Sequence, residues 1–155
     1  MGVADMMVSG CVDDEIITHA LGSCLGVTVY DPIARVGGMI HVMLPLSAIA
    51  PDKAAINPCM FIDTGVPKLF FECCRAGAVK ERLIVKVAGG ACACGTHKDY
   101  FNIGERNYQI LEKLLAKNGF TVAAADVAGS KSRMLSLEIG TGIVKVTAHG
   151  VVSKL

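Results

Sequence analysis

The sequence has no tryptophan, and aromatic residues make up only 5% of it. A core built from it must therefore rest on aliphatic side chains and small thiols. It lacks an excess of either charge: 15 Lys and Arg stand against 14 Asp and Glu, a formal net charge of +1. No basic run breaks that balance, which argues against a nucleic-acid partner or a membrane surface held by bulk electrostatics. Every apolar stretch is interrupted by Gly, Pro or a charge before it reaches the ~20 residues of a spanning helix, so membrane insertion is not expected. Residues 1–14 contain no basic segment leading into an apolar run, so no signal peptide is expected. Internal repeats, linkers and low-complexity segments are missing too.

What is present is a hydrophobic fraction of 52% over 155 residues, ample for one buried core and one domain, 1–155. There are seven cysteines. An odd number with no export signal points to a reducing compartment, hence a cytoplasmic protein with free thiols rather than a disulfide framework. Cysteine packs well as a small core residue, so most of the seven are expected to be packing.

The chain reads as six or seven strands and two helices. Residues 14–20 are extended, Leu21-Gly22-Ser23 forms a turn, and Leu25–Tyr30 is a β-branched strand. Asp31-Pro32 opens a turn, and a second strand runs from Val36 to Met43 and stops at Pro45. Residues 46–63 read as irregular. Helical spacing follows from Thr64 to Val79, with Pro67 tolerated in the first turn. A strand at Arg82–Ala88 precedes a helix over Gly104–Asn118, with Asn102 and Glu105 as a capping pair and Gly119 as the stop. Phe120–Val127 is a strand, and Leu135–Ile139 with Ile143–Thr147 makes a terminal hairpin. This order predicts an α/β (α+β) sandwich: a mixed, largely antiparallel sheet with about two helices packed on it.

The first hairpin carries the chemistry. Folded about Ile33, it places Cys24 and His41 opposite one another or nearly so, on one face of the sheet. Such a pair can form a thiolate–imidazolium couple that lowers the thiol pKa and activates a nucleophile. The backbone N–H groups around Ser23 and Leu25 can point at a bound carbonyl. Gly22, Gly26, Gly37 and Gly38 strip side chains from the surroundings and predict an open groove. The bland alternative is a buried core thiol beside a satisfied core histidine, and these residues alone do not name a reaction.

A resemblance does. Leu21-Gly22-Ser23-Cys24-Leu25-Gly26-Val27, then Tyr30-Asp31-Pro32, then Gly37-Gly38-Met39-Ile40-His41-Val42-Met43-Leu44-Pro45 resembles the signature of the CheD family, the chemoreceptor glutamine deamidases. The likeness continues through Lys86–Ala91, Ile103-Gly104-Glu105-Arg106-Asn107, Asp126–Gly129 and Gly140-Thr141-Gly142. It departs at Ala128, at Ser132-Arg133 and at Cys92-Ala93-Cys94. The resemblance implies Cys24 as nucleophile, His41 as acid/base partner and Thr18 as the third member of a triad. Read without it, Thr18 is equally an ordinary β-branched strand residue. The implied reaction converts a receptor glutamine to glutamate with release of ammonia, through a thioester and without a cofactor. The implied partners are methyl-accepting chemotaxis receptors as substrate and a CheC-type phosphatase.

Three rivals remain at this point. A cysteine-dependent esterase or peptidase would use the same pair. A regulatory binding module for a CheC-type phosphatase would need no such pair. A metal site on Cys92, Cys94 and His97 would lack the C-x₂₋₄-C spacing and a second ligand pair, so no metal is expected. His149 is expected to be exposed and idle, and His19 to face away from Thr18.

Overall fold

The computed structural model describes residues 1–92 and 102–155. Nine strands and three α-helices lie in these segments: β1 (Met6–Ser9), β2 (Glu15–Leu21), β3 (Leu25–Asp31), β4 (Val36–Val42), α1 (Pro51–Ile56), α2 (Ile62–Arg75), β5 (Ile84–Gly89), α3 (Ile103–Lys117), β6 (Val122–Val127), β7 (Arg133–Glu138), β8 (Val144–Ala148) and β9 (Val151–Lys154). The strands form two sheets rather than one. The first has the order β1-β4-β3-β5-β6, and the second β2-β7-β8-β9. All pairings are antiparallel except β5 with β6, the two strands that flank α3 in sequence. That pair needs a crossover, and α3 supplies it.

Two cores result. On one face of the first sheet, Leu25, Val27, Val29, Ile40 and Val42 meet Val66 and Leu69 of α2 and Leu111 of α3. On the other face, Tyr30, Met39 and Ala88 meet Ile16, Leu135, Leu137 and Val146 of the second sheet. Strands β3 and β4 are covered from both sides, and every residue in them is buried. The alternation along each strand thus sorts residues between a helix layer and a second sheet rather than between core and water. β1 and β9, each four residues long, were not expected from the sequence, and α1 occupies part of the stretch read as irregular.

Asn102 stands at the N-cap of α3 as expected, its carbonyl accepting from Arg106 N at 2.9 Å, but it does not cap through its side chain. Its backbone is left-handed, φ 43°, and its side chain makes no hydrogen bond to the helix. Gly119 does end α3, at φ 80°, where Phe120 N–H reaches back to Leu115 O.

The β3–β4 turn is stapled by Asp31, which is fully buried. Its carboxylate accepts from the N–H groups of Ile33, Ala34 and Val79 and from the Arg82 guanidinium at 2.7–3.1 Å. The guanidinium first, and these N–H groups with it, hold the carboxyl far below the usual range against the opposing cost of burial. A depressed folded pKa stabilises the fold at pH above the unfolded value of 3.8, and that contribution is lost as pH falls below it. Asp31→Ala should cost about 3 kcal/mol, the low end for a broken buried pair, because the Arg82 side chain is 36% exposed. Urea unfolding at pH 7 and pH 3 checks this: the gap between wild type and variant should narrow at the lower pH. An unchanged gap would show that the carboxylate charge is not what holds the turn.

Candidate active site

His41 lies on β4, a strand held on both sides. Its N–H donates to Asp5 O at 3.0 Å, its carbonyl accepts from Ala4 N at 2.9 Å, and Gly26 of β3 stands opposite it. Ile40 and Val42 face the helices, so Met39 and His41 face the second sheet. Cys24 precedes β3 by one residue and packs against the same inter-sheet cluster. The expected cross-strand pairing is therefore displaced by two positions: Gly26, not Cys24, opposes His41. Cys24 sits on the diagonal, on the same face, where neighbours lie ~7–8 Å apart and within reach of a long or aromatic side chain.

Thr18 completes the cluster from the second sheet. It is fully buried, and its Oγ1 lies 2.8 Å from His41 Nδ1. The same hydroxyl is 3.4 Å from Met1 O, which directs its proton there and leaves its lone pair to accept from Nδ1–H. A break in the β2–β7 register follows Thr18, and Ala20 adopts φ 59°. This bulge lets Thr18 and Leu21 both face inward while His19 and Ala20 are exposed. With Nδ1 engaged, His41 Nε2 is the nitrogen left over. It is buried and has no partner among the described residues.

Burial acts on the two reactive groups in opposite senses. It pushes the Cys24 thiol up, partly offset by the residue's own N–H leaning on the sulfur. It pushes the His41 imidazole down, as does the N-terminal ammonium. Each shift favours the neutral form. Burial thus works against the thiolate–imidazolium pair expected from the sequence. In the neutral form Nε2 is a free base facing the layer that holds the thiol.

The Gly22–Cys24 loop is tied down through its carbonyls. Gly22 O accepts from Ala91 N at 2.8 Å, Ser23 O from Asn107 Nδ2 at 3.1 Å, and Cys24 O from Gly90 N at 2.8 Å. A Cβ on Gly89 would sit 2.2 Å from Cys24 O, and its φ is +116°, so only glycine fits against the Cys24 loop. Among the described residues, the Ser23 N–H has no acceptor and the Cys24 N–H leans only on its own sulfur. Ladder alternation instead turns the Leu25 N–H into the pairing with Val42. The donors available to a bound carbonyl are thus at Ser23 and Cys24 rather than at Ser23 and Leu25.

The glycines divide differently from expectation. A Cβ added to Gly26 would come within 2.7 and 2.9 Å of Leu135 and Leu21 methyls, one on Gly37 within 2.8 Å of the Tyr30 ring, and one on Gly38 within 2.8 Å of Leu69 and Val8. These three let the second sheet and α2 pack against the first sheet and β1 lie close beside β4, and they line no groove. Gly22 alone of the four has open space above it.

Of the remaining cysteines, Cys59 and Cys73 are buried core thiols, Cys73 pushed up to about 12 chiefly by burial, while Cys74 and Cys11 are exposed. Cys94 and His97 lie outside the described residues. Cys92 is half-buried, its N–H donating to Gly129 O at 2.8 Å. No group of three potential metal ligands occurs among the described residues. His149 is exposed. A cavity of about 300 Å³ opens between α2 and α3, lined by residues such as Phe70, Leu114 and Phe120, and includes none of the cluster around Cys24. Asn107 was not picked out as a site residue, yet it is fully buried on α3 and bonded to the Gly22–Cys24 loop.

Comparison with known proteins places the chain in a family. The family model described as CheD chemotactic sensory transduction matches residues 43–148. The chain belongs to the CheD family. A probable chemoreceptor glutamine deamidase CheD of Solibacter usitatus is 45% identical over 150 residues, 97% of this chain and 88% of that protein. A probable chemoreceptor glutamine deamidase CheD 1 of Syntrophus aciditrophicus is 43% identical over 150 residues, 97% of this chain and 93% of its own length. A probable chemoreceptor glutamine deamidase CheD of Pyrococcus horikoshii is 36% identical over 159 residues, all of this chain and 96% of that one. The family match begins beyond Thr18, Cys24 and His41, whereas the relatives align over nearly the whole chain. No helix among the described residues is long and apolar enough to cross a membrane.

Proposed function

We propose that this CheD-family chain is a single-domain protein-glutamine deamidase, a hydrolase that converts glutamines of chemotaxis receptors to glutamate and releases ammonia. The observation that carries the reading is the buried relay from Thr18 to His41, with Nε2 unpartnered on the face that holds Cys24. The relatives named as chemoreceptor glutamine deamidases supply the substrate.

The steps follow from the two neutral groups. His41 Nε2 takes the thiol proton as Cys24 Sγ attacks the carboxamide carbon. The tetrahedral oxyanion is held by the N–H groups of Ser23 and Cys24. The imidazolium then protonates the amide nitrogen, ammonia leaves, and a thioester remains on Cys24. Neutral His41 next removes a proton from water, whose oxygen attacks the thioester. Collapse frees glutamate and returns the proton to the thiol. Thr18 holds Nδ1–H so that Nε2 stays the basic nitrogen throughout. All steps use protein groups and water alone.

The protein acts in the cytoplasm on the receptor's cytoplasmic helices, with neither nucleic acid nor membrane insertion involved. A CheC-type phosphatase is the proposed regulatory partner, which competes by covering the approach over Gly22, where the backbone is bare. Ammonia release from a glutamine-bearing receptor segment tests both statements. Release that falls as the phosphatase is titrated in supports them. Phosphatase binding with no release from any segment would leave a binding module, and cleavage of esters or peptide bonds with intact glutamines would make the chain an esterase or peptidase.

A further inference from the structure

Asn107 belongs to α3, yet its side chain reaches the first sheet. Nδ2 donates to Ser23 O at 3.1 Å and to Met43 O at 2.9 Å, so one amide group spends both protons tying the nucleophile's loop to the end of the strand that carries His41. The residue is fully buried, and its Oδ1 has no donor. A buried unpaired acceptor is unfavourable, and an apolar side chain of similar size would fill the space without it. The position therefore needs what only the amide supplies, the two donors.

The consequence lies in the peptide plane. The carbonyl of Ser23 and the N–H of Cys24 belong to one planar trans unit and point in opposite directions. Holding the carbonyl toward α3 turns the Cys24 N–H the other way, toward its own sulfur, and that N–H has no main-chain acceptor among the described residues. Gly22 O is held likewise by Ala91 N, which turns the Ser23 N–H outward. That second hold is main chain, whereas the hold on Ser23 O is a side chain and can be removed by substitution.

We infer that Asn107 is a positioning residue that sets the oxyanion-binding donor of the site by clamping the Ser23–Cys24 peptide. This rests on Cys24 being the nucleophile, and not on which amide it attacks. The role separates two reactions of one sulfur. Acylation passes through a tetrahedral oxyanion and needs the N–H donor, whereas alkylation is a direct displacement at carbon and does not.

The experiment follows both reactions at Cys24 by mass spectrometry of its peptide in the full chain. p-Nitrophenyl acetate forms the thioester with loss of p-nitrophenolate, and iodoacetamide forms the thioether with loss of iodide. In Asn107→Ala, acylation should fall about 10²-fold or more while alkylation changes by less than about threefold. Asn107→Asp keeps the shape and loses both donors; it should behave alike, and it is the variant to read if Asn107→Ala does not fold. Asn107→Ser retains one donor and should recover part of the acylation rate. Parallel loss of both reactions would make Asn107 merely structural, and unchanged acylation would remove it from the site; either overturns the inference. A wild-type protein that is not acylated at Cys24 would overturn the nucleophile assignment and this inference with it.

Discussion

Replacing Cys24 with alanine should reduce ammonia release by at least about 10³-fold, because the covalent intermediate is proposed to form on its sulfur. The fold should survive. Cys24 is only half-buried at the margin of the inter-sheet layer, and the carbonyl that pins its loop is main chain. Cys92→Ser and Cys94→Ser should retain most activity, since neither is the proposed nucleophile. Cys59 and Cys73 are buried packing thiols. Initial rates of ammonia release, with circular dichroism to confirm folding, decide the matter. Full activity in Cys24→Ala would end the account, and loss of activity in both serine variants would move the nucleophile to another loop.

Removal of the base is the second large effect. His41→Ala should lower turnover by about 10²–10⁴-fold, the usual contribution of a positioned general base. Thr18→Val is close in shape but leaves Nδ1 without its partner, so a smaller loss of about tenfold is expected. The pH profile carries the sign. Burial pushes the His41 pKa below its ordinary 6.5, so the neutral base persists to lower pH, and the acid limb of kcat/KM should fall below 6.5 rather than at it. Burial also raises the thiol, so without His41 the sulfur depends on solvent base, and its alkylation in His41→Ala should need a more alkaline solution. An acid limb at or above 6.5, or identical alkylation profiles in wild type and His41→Ala, would show that the imidazole does not govern this thiol.

The sequence showed the central hairpin because β3 and β4 are short, β-branched and bounded by clear turn residues. It did not show their register. The turn was centred on Ile33, but Asp31 pairs with Val36, and the turn between them closes through Arg35 at φ 51°, a conformation no arginine announces. Cys24 and His41 still came out on one face, because a two-residue displacement preserves strand parity. The division into two sheets was illegible, since element order alone does not say which strands pair. β1 and β9 are four-residue strands at sheet edges, too short to present a periodic pattern.

The glycines mark the limit of local reading at the site. Glycine in a strand signals that something approaches closely, whether a ligand or another layer. At Gly26, Gly37 and Gly38 it is another layer, and at Gly22 the space is open. Asn107 was noted in the Ile103–Asn107 likeness, but its place at the site was not legible, for a different reason. An asparagine in the second turn of a helix has no periodic signature, and its partners Ser23 and Met43 are 84 and 64 residues away in the chain.

The most direct test of the central claim is mass spectrometry of a receptor cytoplasmic segment incubated with this protein in water enriched in ¹⁸O. The account predicts conversion of individual glutamines to glutamate, each gaining one oxygen from solvent, together with a transient covalent adduct on Cys24 that is missing from the Cys24→Ala protein. Unmodified glutamines, or conversion that proceeds equally with Cys24→Ala, would contradict it.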